Sequence, residues 1–140
     1  MIRTTSQLIS LHARLEDEAA EKLRALARLH PEASEALDRL ADENAQHRDM
    51  VARVYREGVT DAFEVGYLSN PMNEDDYALK ELDGPMQEAV ESALLNEAAV
   101  TRFCVNASRD ANQLIPNLPQ TFSRLAKRKE KRRETLTSLI

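Results

Sequence analysis

The chain has 140 residues, a length that suits one domain with a hydrophobic core of its own. Hydrophobic residues make up 42% and charged residues 31% of it, with three Gly and no Trp, and this composition favours helices over strands. The net charge of −5 argues against nucleic-acid binding through the whole surface.

The first two predicted helices form a hairpin. Apolar residues recur at three- and four-residue steps over about 5–29, after a capping-box signal at Thr4 and Gln7. Pro31 ends this helix and suits the first turn of the next one, which we predict over 32–56. Because the link is short, the two helices should pack antiparallel.

The last two predicted helices, over 86–113 and 118–140, form a second hairpin around Pro116. Residues 58–85 connect the two hairpins and include a predicted short helix near 73–82. A connection this long should run along the length of the bundle.

Together these elements predict an all-α protein, an antiparallel four-helix bundle in which two helical hairpins are joined by a long crossover. Residues 1–140 should form this single domain. No run of about 20 apolar residues is present, so we expect no membrane span.

Several charged and amide side chains fall on the apolar stripes when each residue is given about 100° of helical rotation. In chain order they are His12, Glu16, Asn44, His47, Asn96, Lys129 and Arg132. We expect them inside the bundle, where a charge is tolerated only when it is paired.

Two spaced motifs each occur twice on these stripes. The first is present as Glu16, Ala19, Leu23 and Ala27, and again as Asn96, Ala99, Phe103 and Ala107. The second is present as Leu40, Ala41, Asn44 and His47, and again as Leu125, Ala126, Lys129 and Arg132. These motifs resemble Glu-x-x-Ala-x-x-x-Tyr-x-x-x-Ala and hydrophobic-Ala-x-x-Glu-x-x-His of the rubrerythrin-like branch of the ferritin-like superfamily. The resemblance covers nearly the whole chain and implies the ferritin-like bundle.

The same resemblance implies a two-metal site, with a Glu from each of two helices and a Glu-x-x-His from each of the others. The six corresponding positions here are Glu16, Asn44, His47, Asn96, Lys129 and Arg132. Two carboxylates are replaced by amides, and two cations are added. We therefore predict that Lys129 and Arg132 are counter-ions for Glu16, helped by hydrogen bonds from the amides of Asn44 and Asn96, and that no cofactor is held.

A mononuclear metal site is the alternative for this region. His12 and Glu16 are one helical turn apart and His47 should face them, and two His with one carboxylate can hold a metal ion. The simpler interpretation is that both His form hydrogen bonds near Glu16. Glu43 and Glu97 lie one residue from the ligand positions and would join a site only if their helices rotated, so we leave them out.

Two functions remain open at this point. The chain could be a non-catalytic interaction or scaffold protein with a degenerate di-iron site, acting through a protein partner or as a homo-oligomer. Alternatively, it could keep a reduced iron site around Glu16 and His47 and act in iron handling or in peroxide and oxygen chemistry. Whether it is an enzyme is left open.

Two further features bear on partners and location. The basic run over 124–133 has no aromatic residues for base stacking, so we expect it to offset acidic helices rather than to bind nucleic acid. Cys104 is the only cysteine, and we expect a buried, inert thiol. With no intrachain disulfide possible and no signal-peptide pattern over 1–10, we expect a cytoplasmic protein.

Overall fold

The computed structural model describes residues 1–59, 66–111, 115 and 117–140. Within these residues the chain forms four long helices, which confirms the predicted all-α class. They are α1 (Thr5–Leu29), α2 (Ser34–Gly58), α3 (Met86–Asp110) and α4 (Asn117–Thr137).

The helix boundaries follow local sequence signals. Gln7 donates its backbone N–H to the hydroxyl of Thr4, and the backbone N–H of Thr4 donates to the side chain of Gln7, as the capping box predicts. Pro31–Ala33 form a separate 3-10 turn, so α2 begins two residues later than predicted. α4 ends three residues earlier, and the end predicted for α3 falls on 112–114, outside the described residues.

The helices pack as two antiparallel hairpins. Arg24 pairs with Asp42 between α1 and α2, and Ser108 bonds to the backbone of Pro119 between α3 and α4. α1 also packs against α3, and α2 packs against α4. One core cluster joins Leu8 and Leu118, near the starts of α1 and α4, to Val51 and Phe103, in the C-terminal halves of α2 and α3. α2 and α3 therefore run in the same direction, and the chain between them has to return along the bundle.

The crossover contains a short strand that the sequence analysis missed. β2 (Tyr67–Met72) pairs antiparallel with β1 (Ile2–Thr4), and Ile2 opposite Met72 is buried. A 3-10 turn, Glu74–Tyr77, is formed where the sequence predicted a short helix near 73–82. The Tyr77 hydroxyl contacts Asn106 of α3, and Lys80 bonds through its backbone to Asn96, so the segment runs along α3 as expected.

The hydrophobic core is divided into two clusters. One contains Leu8, Phe103 and Phe122, and the other contains Leu26 and Leu136. In every helix the residues between the clusters include charged or amide side chains, so a polar layer crosses the middle of the bundle. In the part of the chain that the structure describes, no helix combines the length and the apolar character needed to cross a membrane.

Candidate functional site

This polar layer is an ionic layer, formed by charged and amide side chains from all four helices. Its buried members are each at most 5% exposed: His12, Glu16, Asn44, His47, Glu97, Lys129 and Arg132. Groups of this kind are stable inside a protein only when their charges and hydrogen bonds are matched, so their partners decide what the layer can do.

Glu16 is the centre of one half of the layer. Its Oε1 accepts hydrogen bonds from Lys129 Nζ at 2.8 Å and Asn44 Nδ2 at 2.8 Å, and its Oε2 lies 2.8 Å from His12 Nε2. Burial raises the pKa of this carboxyl, but the charge of Lys129 and the contact with His12 outweigh that effect. The pKa of Glu16 therefore lies well below its usual range, and the carboxylate is ionised.

Lys129 also determines the state of His47. Lys129 Nζ lies 3.1 Å from His47 Nδ1, and an ammonium group can only donate, so Nδ1 accepts and the ring proton lies on Nε2. Burial lowers the pKa of His47 to about 3, and the charge of Lys129 acts in the same direction. His47 is therefore a neutral imidazole near pH 7.

Arg132 is the centre of the other half. Its Nε and Nη2 donate to the two carboxylate oxygens of Glu97 at 3.1 and 2.7 Å. Its Nη1 donates to the backbone oxygen of Leu40 at 2.9 Å and to Glu43 at 3.3 Å, and Nη2 also donates to Asn44 at 2.8 Å. A guanidinium has five N–H groups, and these five bonds use all of them.

Asn44 connects the two halves. Its Nδ2 donates to Glu16 while its Oδ1 accepts from Arg132, so one amide touches the central carboxylate of one half and the central cation of the other. A change at either end can therefore reach the other through a single side chain.

The contacts agree with the prediction in part. Lys129 and Asn44 bond to Glu16 as expected, but the predicted pairing of Arg132 with Glu16 is wrong. Arg132 binds Glu97 and Glu43 instead, because α3 and α2 bring these carboxylates to its guanidinium. The two Glu that we left out need no rotation of their helices, since a flanking position is within reach of the long Arg side chain.

Asn96 is the second correction. It is buried, as expected, but it does not join the ionic layer. Its amide donates to the backbone oxygen of Lys80 at 2.9 Å and accepts from the backbone N–H of Lys80 at 2.7 Å. The crossover covers this face of α3, so Asn96 fixes the crossover rather than Glu16.

One signal in the sequence could have identified Glu97. A buried guanidinium needs about five acceptor contacts, and a single Glu shared with a buried Lys cannot supply them. Glu97 directly follows Asn96 on the inner part of α3, and it was the nearest unused carboxylate. Charge balance, rather than motif spacing, was the more informative guide.

The structure brings the proposed metal ligands His12, Glu16 and His47 together, but their surroundings do not suit a metal ion. His47 Nδ1 lies 4.0 Å from Glu16 Oε2, and the ammonium of Lys129 lies beside both residues. Over residues 1–59, 66–111, 115 and 117–140, no three His, Cys, Asp or Glu side chains are arranged to hold a metal ion. The donor set fits a lysine ammonium better than a divalent cation, which the ammonium would repel.

Cys104 lies in α3, within the cluster that contains Phe103. Burial raises the pKa of its thiol to about 12, so the reactive thiolate is not formed near neutral pH. The side chain therefore acts as a small apolar group in the core.

Comparison of the chain with protein-family models, with curated proteins and with solved structures gave no match.

Proposed function

We propose that this chain is a divergent ferritin-like, rubrerythrin-like bundle whose di-iron site has been replaced by the ionic layer, and that it acts as a non-catalytic interaction or scaffold protein. One observation carries the proposal. Lys129 Nζ lies 2.8 Å from Glu16 Oε1 and 3.1 Å from His47 Nδ1, the two residues that keep the family's ligand identities. The ammonium thus occupies the space between them.

The charges of the layer support the same proposal. Lys129 neutralises Glu16, and Arg132 is bonded to Glu97 and Glu43, so the carboxylates already have cationic partners. A divalent ion would have to displace Lys129 or share its partners, and an ammonium displaced into the core would lose its hydrogen bonds. That loss is expensive in a low-dielectric interior.

A role through protein contacts is supported by apolar side chains on the outside of α3. Leu95 is 55% exposed and Val105 is 52% exposed, and a second copy of the chain or another protein could cover them. We propose a homo-oligomer in the cytoplasm, where the lone Cys104 would stay reduced. Light scattering tests the first part: a monomeric mass that does not change with concentration would contradict it.

Elemental analysis of protein purified without chelators tests the replaced metal site. We expect no stoichiometric iron, manganese or zinc, and no rise in melting temperature when these metals are added. A ligand that binds only the folded protein raises its stability by about 2.7 kcal/mol at a hundred times its dissociation constant, so bound metal would be visible. Stoichiometric metal that His12→Ala or His47→Ala removes, while Glu43→Ala does not, would favour the iron-handling alternative.

Restoring carboxylates gives a second test. The double variant Asn44→Glu with Lys129→Glu replaces an amide and a cation near Glu16 and His47 by two metal-binding groups. If the layer replaced a metal site, this variant should be destabilised without metal and should gain melting temperature on adding Fe²⁺ or Mn²⁺. The double variant Gln46→Glu with Lys127→Glu makes the same changes of charge at exposed positions of the same two helices and should show no such gain.

A further inference from the structure

A groove of about 300 Å³ lies between α2 and α4, on the outer side of the ionic layer. Its polar lining comes from both helices: Arg39, Gln46 and His47 from α2, and Arg128, Lys131 and Thr135 from α4. The volume is at the lower end of the range for small-molecule sites, which begins at about 300 Å³.

The groove is basic although the chain as a whole is acidic. Arg128 and Lys131 form no ion pair with any residue that the structure describes, and Arg39 has only an exposed contact of 3.4 Å with Glu35. Glu43 also lines the groove, but it is bonded to Arg132. Three cations thus face the groove without a strong carboxylate partner, in a protein whose net charge is −5.

His47 provides an unused donor at the base of this groove. Its Nδ1 accepts from Lys129, so its proton is on Nε2, and within residues 1–59, 66–111, 115 and 117–140 no acceptor bonds to that atom. Among the described side chains, the hydroxyl of Thr5 is the one polar group that is both shielded from solvent and without a hydrogen-bond partner. Nε2 of His47 also has no partner among these residues, so it must be accessible to solvent, although His47 is only 5% exposed. Because His47 lines the groove, that solvent is in the groove.

We propose that the groove between α2 and α4 binds a small molecule that carries a phosphate group, with Arg39, Arg128 and Lys131 around the phosphate oxygens. His47 Nε2 donates a hydrogen bond at the base of the site. Guanidinium groups match the geometry of phosphate oxygens, and a phosphate with close to two negative charges suits several unpaired cations better than a single carboxylate does. This site goes beyond the scaffold function, and its donor at His47 rests on the proposed ionic layer, in which Lys129 bonds to His47 Nδ1.

The remaining cation lining the groove does not bind the ligand directly. All five N–H groups of Arg132 are used within the bundle, so it holds Glu43 in place instead. The helices that form the walls are held together by the ionic layer, so binding requires no backbone rearrangement. The entropic cost of binding then comes from ordering the side chains of Arg39, Arg128 and Lys131.

The probes for the test are inorganic phosphate and pyrophosphate, added to full-length protein at constant ionic strength by exchange against chloride. We expect saturable binding by calorimetry, with pyrophosphate tighter than phosphate. In ¹⁵N-detected NMR, the signal of His47 Nε2 should shift along the same binding curve. Lys131→Glu and Arg128→Glu should each weaken binding by at least about tenfold.

Lys127→Glu is the matched control, because Lys127 is exposed on the same helix, carries the same charge and does not line the groove. It should weaken binding by less than about threefold. An equal loss in Lys127→Glu and Lys131→Glu would show general charge attraction only and would overturn the site. So would an unchanged His47 signal at saturation, equal affinity for acetate, or binding of poly-glutamate without binding of phosphate.

Discussion

Both halves of the ionic layer contain a buried cation, but the two cations differ in the number of carboxylates that pair with them. Lys129 is 1% exposed and depends on one carboxylate, that of Glu16, which is itself fully buried. Arg132 has two carboxylates and a backbone oxygen, and the side chain of Glu43 is 40% exposed. Removing a cation that has one fully buried carboxylate partner leaves that carboxylate without its cationic partner. Removing a cation whose carboxylate partners include a solvent-exposed one leaves less unpaired charge inside the protein.

The largest effect is expected from Lys129→Met. The change leaves the ionised Glu16 in the core without its ammonium partner, and removing one partner of a buried pair costs about 3–5 kcal/mol. The free energy of unfolding from urea denaturation measures it.

Glu16→Leu combined with Lys129→Met is the control for this variant. Replacing both partners by apolar residues is often near neutral, so the double variant should recover much of the loss. If the two single losses simply add in the double variant, the two groups do not interact, and the description of this half is wrong.

The half around Glu16 should also respond to acid. The folded-state pKa of His47 is about 3, below its usual 6.5, so the unfolded chain takes up a proton first and stability falls as the pH drops below about 6.5. The loss approaches about 1.4 kcal/mol per pH unit as the pH falls, and it amounts to roughly 2 kcal/mol between pH 6.5 and pH 4.5. Below the usual pKa of Glu16, 4.5, its lowered pKa adds a second loss in the same direction.

His47→Gln separates the two contributions. This variant lacks the imidazole, so its free energy of unfolding should vary less than that of the wild type between pH 6.5 and pH 4.5, while the loss below pH 4.5 should remain. Parallel curves over the upper range would mean that His47 is not held neutral by Lys129 and burial.

The helices were predictable because their signals are local. The Thr4 capping box and the turn at Pro31 lie within a few residues of the ends that they define, and α1 has the predicted boundaries. β1 and β2 were missed because they are short, about 65 residues apart in sequence, and paired only in the folded chain. The sequence also contains no signal for which face of α3 the crossover covers. For this reason Asn96 was predicted to bond to Glu16 rather than to the backbone of Lys80.

The contacts of the site were predictable where they depend on the position of a residue around its helix, and not where they depend on how far a long side chain extends. Rotation placed Glu16, Asn44 and Lys129 on inner faces, and the structure bonds them together. Arg132 has a long side chain, which contacts carboxylates one residue away from the predicted inner positions. The rotation angle of a residue does not say how far its side chain extends.

The smallest effect distinguishes the two carboxylates of Arg132, which the sequence analysis treated alike. Glu97→Gln removes a buried carboxylate that holds two N–H groups of Arg132 and should cost about 1.5 kcal/mol or more. Glu43→Gln removes one contact of 3.3 Å from a side chain that is 40% exposed, where solvent screens the charge, and should change stability by less than about 0.5 kcal/mol. Both changes keep the side-chain shape, so the denaturation difference between them reflects the burial of each charge and the number of its bonds to Arg132. If Glu43→Gln cost as much as is expected for Glu97→Gln, Arg132 would need both carboxylates and would have no redundant partner.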